Sequence, residues 1–334
     1  MSFVDNVVSP IKEDLEEVEE ELSYLVTSKL QPLTDSSLYL LESGGKRLRP
    51  SLVLLSGKLF DYKLTRLKPL AIAVELVHMA SLIHDDIIDD SNLRRGSPPV
   101  NYKWNNKVAV LSGDLLYTFA ANSLAELEDS NYLTHLLQAT LAMTRGQAYE
   151  LVDSGDHGVS IDDYLTRVRQ KTALLMSKSC LLGARACGGD DGAQAQLEGY
   201  GLNVGLAFQI MDDLRDLFGT RENLGKEPGK DLKEGVLTLP IIIAINRSDR
   251  RSTIEELLVN EDPSREKINR GIDIIKESGA VEDSLEYSNE YGKKALDYIS
   301  GMADSPARDS LASLARYLAG DIVEGEAFLK PEVM

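Results

Sequence analysis

The chain has 334 residues, of which 43% are hydrophobic, and its 54 acidic and 36 basic side chains give a formal net charge of -18. Such an acidic chain repels a phosphate backbone, which argues against a nucleic-acid partner. A phosphorylated substrate would need local cations or metal ions to overcome this charge. The two cysteines, Cys180 and Cys187, lack CxxC or Cys/His metal spacing and are predicted to be buried thiols.

The N-terminal segment and the apolar runs indicate where the protein resides. Residues 1–22 are acidic and amphipathic, unlike a signal peptide. The longest apolar run, residues 237–245, is too short to span a bilayer and contains Pro240. We therefore expect a cytoplasmic protein that does not span a membrane.

Apolar residues recur at spacings of three and four along nearly the whole chain, which predicts helices. The segments with this period are, in order, 36–43, 67–89, 108–127, 133–152, 161–186, 193–218 and 310–323. Two polar segments with glycine and proline, Asn92 to Asn106 and Gly219 to Gly235, are predicted to be loops. Because no alternating strand pattern and no linker is found, the prediction is one all-α domain over residues 1–334.

Four aspartates follow the apolar segment before residue 85, namely Asp85, Asp86, Asp89 and Asp90. Unpaired carboxylates at the end of an apolar helix would be costly to bury. At about 100° per residue, Asp85, Asp86 and Asp89 fall on one face of a helix. His78 and Ser81 extend this face toward the N-terminus. A solvated acidic face is the alternative interpretation.

The same DDxxD spacing returns at Asp212, Asp213 and Asp216, again after an apolar helical run, with Gly205 and Gln209 on the face of Asp212. Two facing acid clusters would repel each other strongly unless cations lay between them. Oxygen ligands without cysteine or clustered histidine favour Mg²⁺, which completes its coordination with water and substrate phosphates. The pattern therefore predicts a phosphate ester or a diphosphate as substrate.

Basic side chains that suit such a substrate lie in three segments. Lys46, Arg47 and Arg49 follow the Gly44-Gly45 turn, Arg94 and Arg95 follow the first acid motif, and Lys226 lies in the second loop. Each alone is typical of a surface residue. Together with two acid motifs, they favour a diphosphate site.

The motifs GGKRLRP, LIHDDIIDDSNLRRG, KT at residues 171–172, FQIMDDLRD and LGKEPGKDLKEGVLTLP occur in this order between Gly44 and Pro240. In these motifs the sequence resembles the trans-isoprenyl diphosphate (polyprenyl) synthases. The resemblance implies an isoprenoid-synthase fold of antiparallel helices around a deep central cavity, usually in a homodimer. It also implies Mg²⁺-dependent condensation of isopentenyl diphosphate with allylic diphosphates. Contact with a membrane surface for product release is left open.

Roles for individual residues follow from the resemblance. Ligands of bridging Mg²⁺ are implied at Asp85 and Asp89, and a ligand of another Mg²⁺ at Asp212. The clusters are completed, in part through water, by Asp86, Asp213 and Asp216. An isopentenyl diphosphate site is implied at Lys46, Arg49, His78 and Arg95, and an allylic diphosphate clamp at Arg94, Lys171 and Lys226. Thr172 and Gln209 match residues that stabilise the developing carbocation.

One position departs from the family pattern. The family often has lysine in the EGKxTLP stretch, whereas this chain has Val236. A cation that helps to hold the allylic diphosphate is therefore missing. Lys230 and Lys233, in the same loop, are candidates to replace it.

Small side chains before the first acid motif predict a long product. Short-chain family members have a bulky aromatic residue near these positions, whereas Val77, Ala80 and Ser81 would leave a tunnel open. We therefore predict an all-trans product longer than geranylgeranyl diphosphate. The alternatives are a short-chain synthase and an inactive subunit of a heteromeric synthase, although such subunits tend to lose the acid motifs.

Two other enzyme classes fit the motifs less well. An HD-type phosphohydrolase would use the pair His84-Asp85, but it needs further histidines at suitable separations and leaves the second DDxxD unexplained. A terpene cyclase shares the first acid motif. It usually has an Asn/Ser/Glu motif in place of the second and needs no isopentenyl diphosphate site.

Overall fold

The structure is a computed structural model that describes residues 7–27, 30–94, 96–156, 158–219, 227–260 and 262–320. In these residues every regular element is helical, and no β-strand is formed. The chain divides into two compact units, each built from several stretches of sequence. The single domain over residues 1–334 remains a prediction.

Unit 1 contains residues 1–140, 175–198 and 302–311. Its helices are α1 (Lys12–Leu25), α2 (Gln31–Glu42), α3 (Leu48–Gly57), α4 (Leu64–Ile88), α5 (Val100–Lys103) and α6 (Asn106–Ala125). It also includes the start of α7 (Asn131–Asp153), nearly all of α9 (Leu174–Ala186) and the first turns of α10 (Asp191–Phe218). Cys180 and Cys187 are buried free thiols in this unit, as predicted.

Helix α4 forms the centre of unit 1 and ends at the first acid motif. Its residues from Leu70 to Val77 are buried on every side. Apart from Glu75 these residues are apolar, and a helix that is apolar on all sides is expected in a core. It packs against α3 and α6. The buried packing fixes the position of its last turn, where the aspartates lie.

Helix α6 has a different environment from α4. By length and composition alone, both helices could cross a membrane. Helix α4, however, is mostly buried within the protein. In α6 one side, including Ala109, Leu116 and Ala120, packs into unit 1. On the other side Val110 and Leu111 are exposed.

Unit 2 contains residues 141–174, 199–301 and 312–334. Its helices are α8 (Ile161–Val168), α11 (Lys230–Lys233), α12 (Leu239–Arg247), α13 (Arg251–Leu258), α14 (Arg265–Glu277) and α15 (Ala280–Ile299). Helices α7, α10 and α16 (Pro306–Ala319) contribute residues to both units. Helix α12 is the apolar segment that contains Pro240, and its side chains form a core with those of α8, α13 and α14.

The predicted helix over residues 161–186 is interrupted in the structure. A π-helical turn, Arg169–Ala173, separates α8 from α9. Short helices α5 and α11 also occur inside the segments predicted as loops. Single π-helical turns within α-helices are frequent at functional sites, and this one contains Lys171 and Thr172.

Candidate active site

The first acid motif lies at the C-terminal end of α4. The backbone N–H of Asp89, the residue that caps the helix, donates to the carbonyl oxygen of Asp85 at 2.8 Å. Asp85 and Asp89 are half-buried. Asp86, in contrast, is only 2% exposed. The three carboxylates that share one face in the sequence prediction therefore have different environments.

Asp86 holds the loop that follows the helix. The Arg94 Nε donates to Asp86 Oδ2 at 2.6 Å, and Asn101 donates its side-chain N–H to the Asp86 carbonyl oxygen at 3.1 Å. Arg94 also exchanges two backbone hydrogen bonds with Ser97. Arg94, predicted for the allylic diphosphate clamp, is thus oriented by an aspartate of the motif. Arg95 lies outside the described residues.

The basic segment before α3 divides into different roles. Arg47 precedes α3 in a left-handed conformation, with φ of 46°. Its guanidinium donates to Glu19 at 2.7 Å, to the buried Glu75 at 3.0 Å and to the Leu41 carbonyl oxygen at 2.9 Å. Arg47 therefore links helices within unit 1. Lys46 is half-buried, and Arg49 is buried in α3.

The predicted chain-length residues lie on α4 in unit 1. Val77 and Ala80 are fully buried, whereas Ser81 is half-buried. The Ser81 hydroxyl donates to the carbonyl oxygen of His78 at 2.8 Å. His78, predicted for the isopentenyl diphosphate site, is itself half-buried. Of the three chain-length positions, Ser81 is thus the one that is not fully buried.

The second acid motif lies near the end of α10 in unit 2, and its members again differ. Asp212 is exposed, whereas Asp213 is 5% exposed and Asp216 is also buried. Asp216 accepts the backbone N–H of Asp231 on Oδ2 at 3.0 Å, and its carbonyl oxygen accepts the N–H of Gly229 at 2.7 Å. Asp216 therefore holds the start of α11.

Both oxygens of Asp213 accept hydrogen bonds. The Tyr164 hydroxyl donates to Oδ2 at 2.6 Å, and the Gln209 Nε2 donates to Oδ1 at 2.9 Å. Burial raises the pKa of Asp213 to about 7, while the hydrogen bonds from Tyr164 and Gln209 oppose this shift. Burial and the neighbouring Asp213 raise the pKa of Tyr164 well above its usual value, which keeps its hydroxyl protonated.

The π-helical turn presents Lys171 and Thr172 in unit 2. Lys171 forms an ion pair with Glu150 of α7. The Thr172 hydroxyl donates to Gln209 Oε1 at 2.8 Å. Thr172 and Gln209, the two residues predicted to stabilise the carbocation, are therefore directly bonded. The sequence prediction missed Glu150 and Tyr164, because Glu150 lies 21 positions from its partner Lys171 and Tyr164 lies 49 positions from its partner Asp213.

Two glycines allow the π-helical turn to approach its neighbours. A Cβ added at Gly146 of α7 would lie 2.4 Å from the Lys171 backbone nitrogen, and one added at Gly205 of α10 would lie 2.5 Å from the Ala173 Cα. A side chain at either position would overlap backbone atoms. The close contact at Gly205, one turn before Gln209, places Thr172 within hydrogen-bonding distance of Gln209.

The candidates to replace the missing lysine also have partners. Lys230 pairs with Glu234 at 3.4 Å, and Lys233 lies 3.6 Å from Asp262. Val236 is half-buried, and its backbone N–H donates to the Asp231 carbonyl oxygen at 2.9 Å. Lys226, predicted for the same clamp, lies outside the described residues. The replacement of the missing cation therefore remains a prediction.

The described residues offer carboxylate oxygens to a metal ion, but they do not form a complete set of protein ligands around one. Among them, no three His, Cys, Asp or Glu side chains form a group that could hold a metal ion by themselves. Asp85, Asp89 and Asp212 are the least buried of the six predicted ligands. Mg²⁺ is usually bound by few carboxylates and keeps water or substrate oxygens as further ligands. The donor set therefore fits Mg²⁺ that arrives with a phosphorylated substrate.

Comparison with known proteins identifies the family. The family pattern described as polyprenyl synthetase matches residues 30–275. Heptaprenyl diphosphate synthase component 2 of Geobacillus stearothermophilus is 40% identical over 308 residues, which cover 92% of this chain and 96% of that protein. Octaprenyl diphosphate synthase of Haemophilus influenzae is 30% identical, with coverage of 95% and 97%.

A solved structure gives the same result. The polyprenyl synthase from Caulobacter crescentus CB15, complexed with calcium and isoprenyl diphosphate, has a TM-score of 0.91 and 32% identity, with coverage of 95% of this chain and 97% of that chain. The chain belongs to the polyprenyl synthetase family and is a trans-polyprenyl diphosphate synthase. This confirms the family and the all-α isoprenoid-synthase fold predicted from the sequence.

Proposed function

We propose that this enzyme condenses isopentenyl diphosphate with allylic diphosphates and requires Mg²⁺. The observation that supports this most directly is the Thr172–Gln209–Asp213 hydrogen-bond chain, which joins the KT motif to the second acid motif. The diphosphate substrates are also in keeping with the names of the heptaprenyl and octaprenyl diphosphate synthases. Membership of the family supports the reaction class.

The proposed roles follow the chemistry of the reaction. Breaking the allylic C–O bond leaves the electron pair on the diphosphate and forms an allylic carbocation. The double bond of isopentenyl diphosphate attacks this cation, and the departing diphosphate takes the proton that restores an alkene. Bound Mg²⁺ would neutralise the charge that develops on the leaving diphosphate.

Residues of each unit have separate tasks in this proposal. In unit 1, Asp85 and Asp89 would hold Mg²⁺, Lys46, Arg49 and His78 would bind isopentenyl diphosphate, and Arg94 would bind the allylic diphosphate. In unit 2, Asp212 would hold Mg²⁺ and Lys171 would bind the allylic diphosphate. The oxygens of Thr172 and Gln209 would stabilise the cation. Each charged side chain would then face a charge of opposite sign, as preorganised electrostatic catalysis requires.

The reaction is tested with labelled isopentenyl diphosphate and one allylic primer at a time, with Mg²⁺ or with a chelator. We expect a longer prenyl diphosphate only when both substrates and Mg²⁺ are present. A cyclic hydrocarbon formed from the primer alone would indicate a terpene cyclase. Phosphate release without a new C–C bond would indicate a phosphohydrolase. Either of the last two outcomes would contradict the proposal.

We propose a product longer than geranylgeranyl diphosphate, in line with the relatives named for heptaprenyl and octaprenyl products. Ala80→Phe would be a poor test because Ala80 is fully buried and overpacking costs about 1–3 kcal/mol. Ser81 is half-buried, so Ser81→Phe is expected to shorten the main product while primer ionisation stays near the wild-type rate. Chromatography of the products measures this, with Ser81→Ala as the control. Unchanged product length in Ser81→Phe would remove Ser81 from the growing chain's path.

We propose that a second copy of the chain covers the exposed side of α6. Lys107 and Asp114 are the only charged residues within Asn106–Ala125, and Leu111 is 56% exposed. Exposed apolar patches of this kind mark interaction surfaces. The Geobacillus stearothermophilus relative is named as component 2, which suggests a different protein as the alternative partner.

The homodimer is tested by light scattering on the purified chain. We expect the wild type to be a dimer and Leu111→Glu to shift it toward the monomer, because the substitution places a charge on the apolar face. Val259→Glu is the control, because it places the same charge on an exposed apolar residue outside α6. Thr118→Glu would not serve, since Thr118 is exposed on α6 itself. A monomeric wild type would contradict the homodimer and favour a partner component.

A further inference from the structure

Tyr164 is a fully buried residue for which no role was predicted from the sequence. It lies on α8 in unit 2, and its hydroxyl donates to Asp213 Oδ2 at 2.6 Å. The two residues are 49 positions apart in sequence. Asp213 in turn accepts from Gln209, and Gln209 accepts from Thr172. Tyr164 is therefore one end of a hydrogen-bond chain whose other end is the threonine of the KT motif.

The surroundings of Tyr164 hold its hydroxyl in one place. Helix α8 begins with a capping box in which Ser160 and Asp163 bond each other's backbone N–H groups. The Arg167 guanidinium lies 5.7 Å from the centre of the Tyr164 ring, and Arg167 is itself bonded to the Leu237 carbonyl oxygen. The ring belongs to the hydrophobic core of unit 2. A hydroxyl fixed in this way can orient its acceptor.

The order of donors and acceptors along the chain has a chemical consequence. The Gln209 Nε2 donates to Asp213 Oδ1, so the Gln209 amide has its NH₂ group toward Asp213. Its oxygen then faces Thr172 and accepts the hydroxyl proton, which is the single proton that a threonine side chain can donate. The Thr172 oxygen is left with lone pairs. Lone pairs stabilise a developing positive charge, whereas a hydroxyl proton would oppose it.

We propose that Tyr164 is a positioning residue, which holds Asp213 and thereby fixes the orientation of Gln209 and Thr172 toward the allylic carbocation. This inference rests on the proposed function, because it assumes that a carbocation forms beside Thr172. Tyr164 itself is buried and acts through Asp213. Its hydroxyl is thus expected to affect the chemical step more than the binding of either diphosphate.

Tyr164→Phe removes only the hydroxyl and is the variant that tests this inference. We expect kcat for condensation to fall about tenfold or more, since small misplacements of reacting groups are costly, while KM for both substrates changes much less. Tyr62→Phe is the matched control, because the Tyr62 hydroxyl donates to Asp14 at 2.7 Å in unit 1. Thermal unfolding of both variants shows how much of any change is structural.

A double-mutant cycle with Gln209→Ala separates positioning from general destabilisation. If Tyr164 acts through Gln209, Tyr164→Phe should lower kcat much less in the Gln209→Ala background than in the wild type. An equal loss in both backgrounds, or a kcat of Tyr164→Phe within twofold of wild type, would overturn the inference and leave the proposed function intact. Failure of the wild type and of Tyr62→Phe to form any prenyl product would instead overturn both.

Discussion

Asp85→Asn and Asp212→Asn are each expected to lower kcat about a thousandfold or more, with little loss of folded structure, because each removes a ligand charge and leaves side-chain size nearly unchanged. Asp85 is half-buried at the end of α4 and Asp212 is exposed on α10. Neither side chain belongs to the hydrophobic core. The measurement is steady-state condensation at saturating Mg²⁺, with folding followed by circular dichroism.

Asp90→Asn is the matched control for this pair. Asp90 directly follows the first motif, is exposed and has a φ of 44°, a backbone conformation that asparagine tolerates. It loses the same charge without removing a predicted ligand, and we expect nearly wild-type turnover. Near-wild-type kcat in a folded Asp85→Asn or Asp212→Asn variant would contradict the metal assignment at that position.

Gly205→Ala is expected to produce the second large effect, a combined loss of stability and turnover. The added Cβ would lie 2.5 Å from the Ala173 Cα and 2.8 Å from the Ala173 Cβ. Alanine improves helix propensity by about 1 kcal/mol over glycine, but overpacking against backbone costs about 1–3 kcal/mol. The overlap is therefore expected to dominate, and movement of the π-helical turn would separate Thr172 from Gln209.

Urea unfolding and condensation kinetics measure both effects, with Gly301→Ala as the control. No atom lies within 4 Å of a Cβ added at Gly301, which is also in unit 2. We expect this control to keep wild-type kcat. If Gly205→Ala resembles Gly301→Ala in both stability and kcat, this result would contradict the close contact between α10 and the π-helical turn.

The helices could be predicted from the sequence because their apolar faces repeat at a regular spacing. The interruption at Arg169–Ala173 could not, since one widened turn changes that spacing little over residues 161–186. Helices α5 and α11 have four residues each, too few for a period to be recognised. Local periodicity therefore predicted many of the long helices, although α1, α14 and α15 were not among the predicted segments, and it missed the short elements.

The residues of the candidate site could be predicted from the sequence, but the hydrogen-bond partners of those residues could not. Helical spacing placed Asp85, Asp86 and Asp89 on one face, yet Asp86 is bonded to Arg94. In the second motif, Asp213 is bonded to Tyr164, a partner 49 residues away. Pairings between distant residues depend on tertiary packing, which spacing within one helix does not determine.

The most direct test of the proposed function uses the purified chain alone, with Mg²⁺, a farnesyl diphosphate primer and excess labelled isopentenyl diphosphate. Chain length is read by chromatography after the diphosphate has been removed enzymatically. We predict all-trans products longer than geranylgeranyl diphosphate, and none when Mg²⁺ is chelated. Extension that stops at geranylgeranyl diphosphate would contradict the long-chain product, and the absence of any new C–C bond would contradict condensation by this chain on its own.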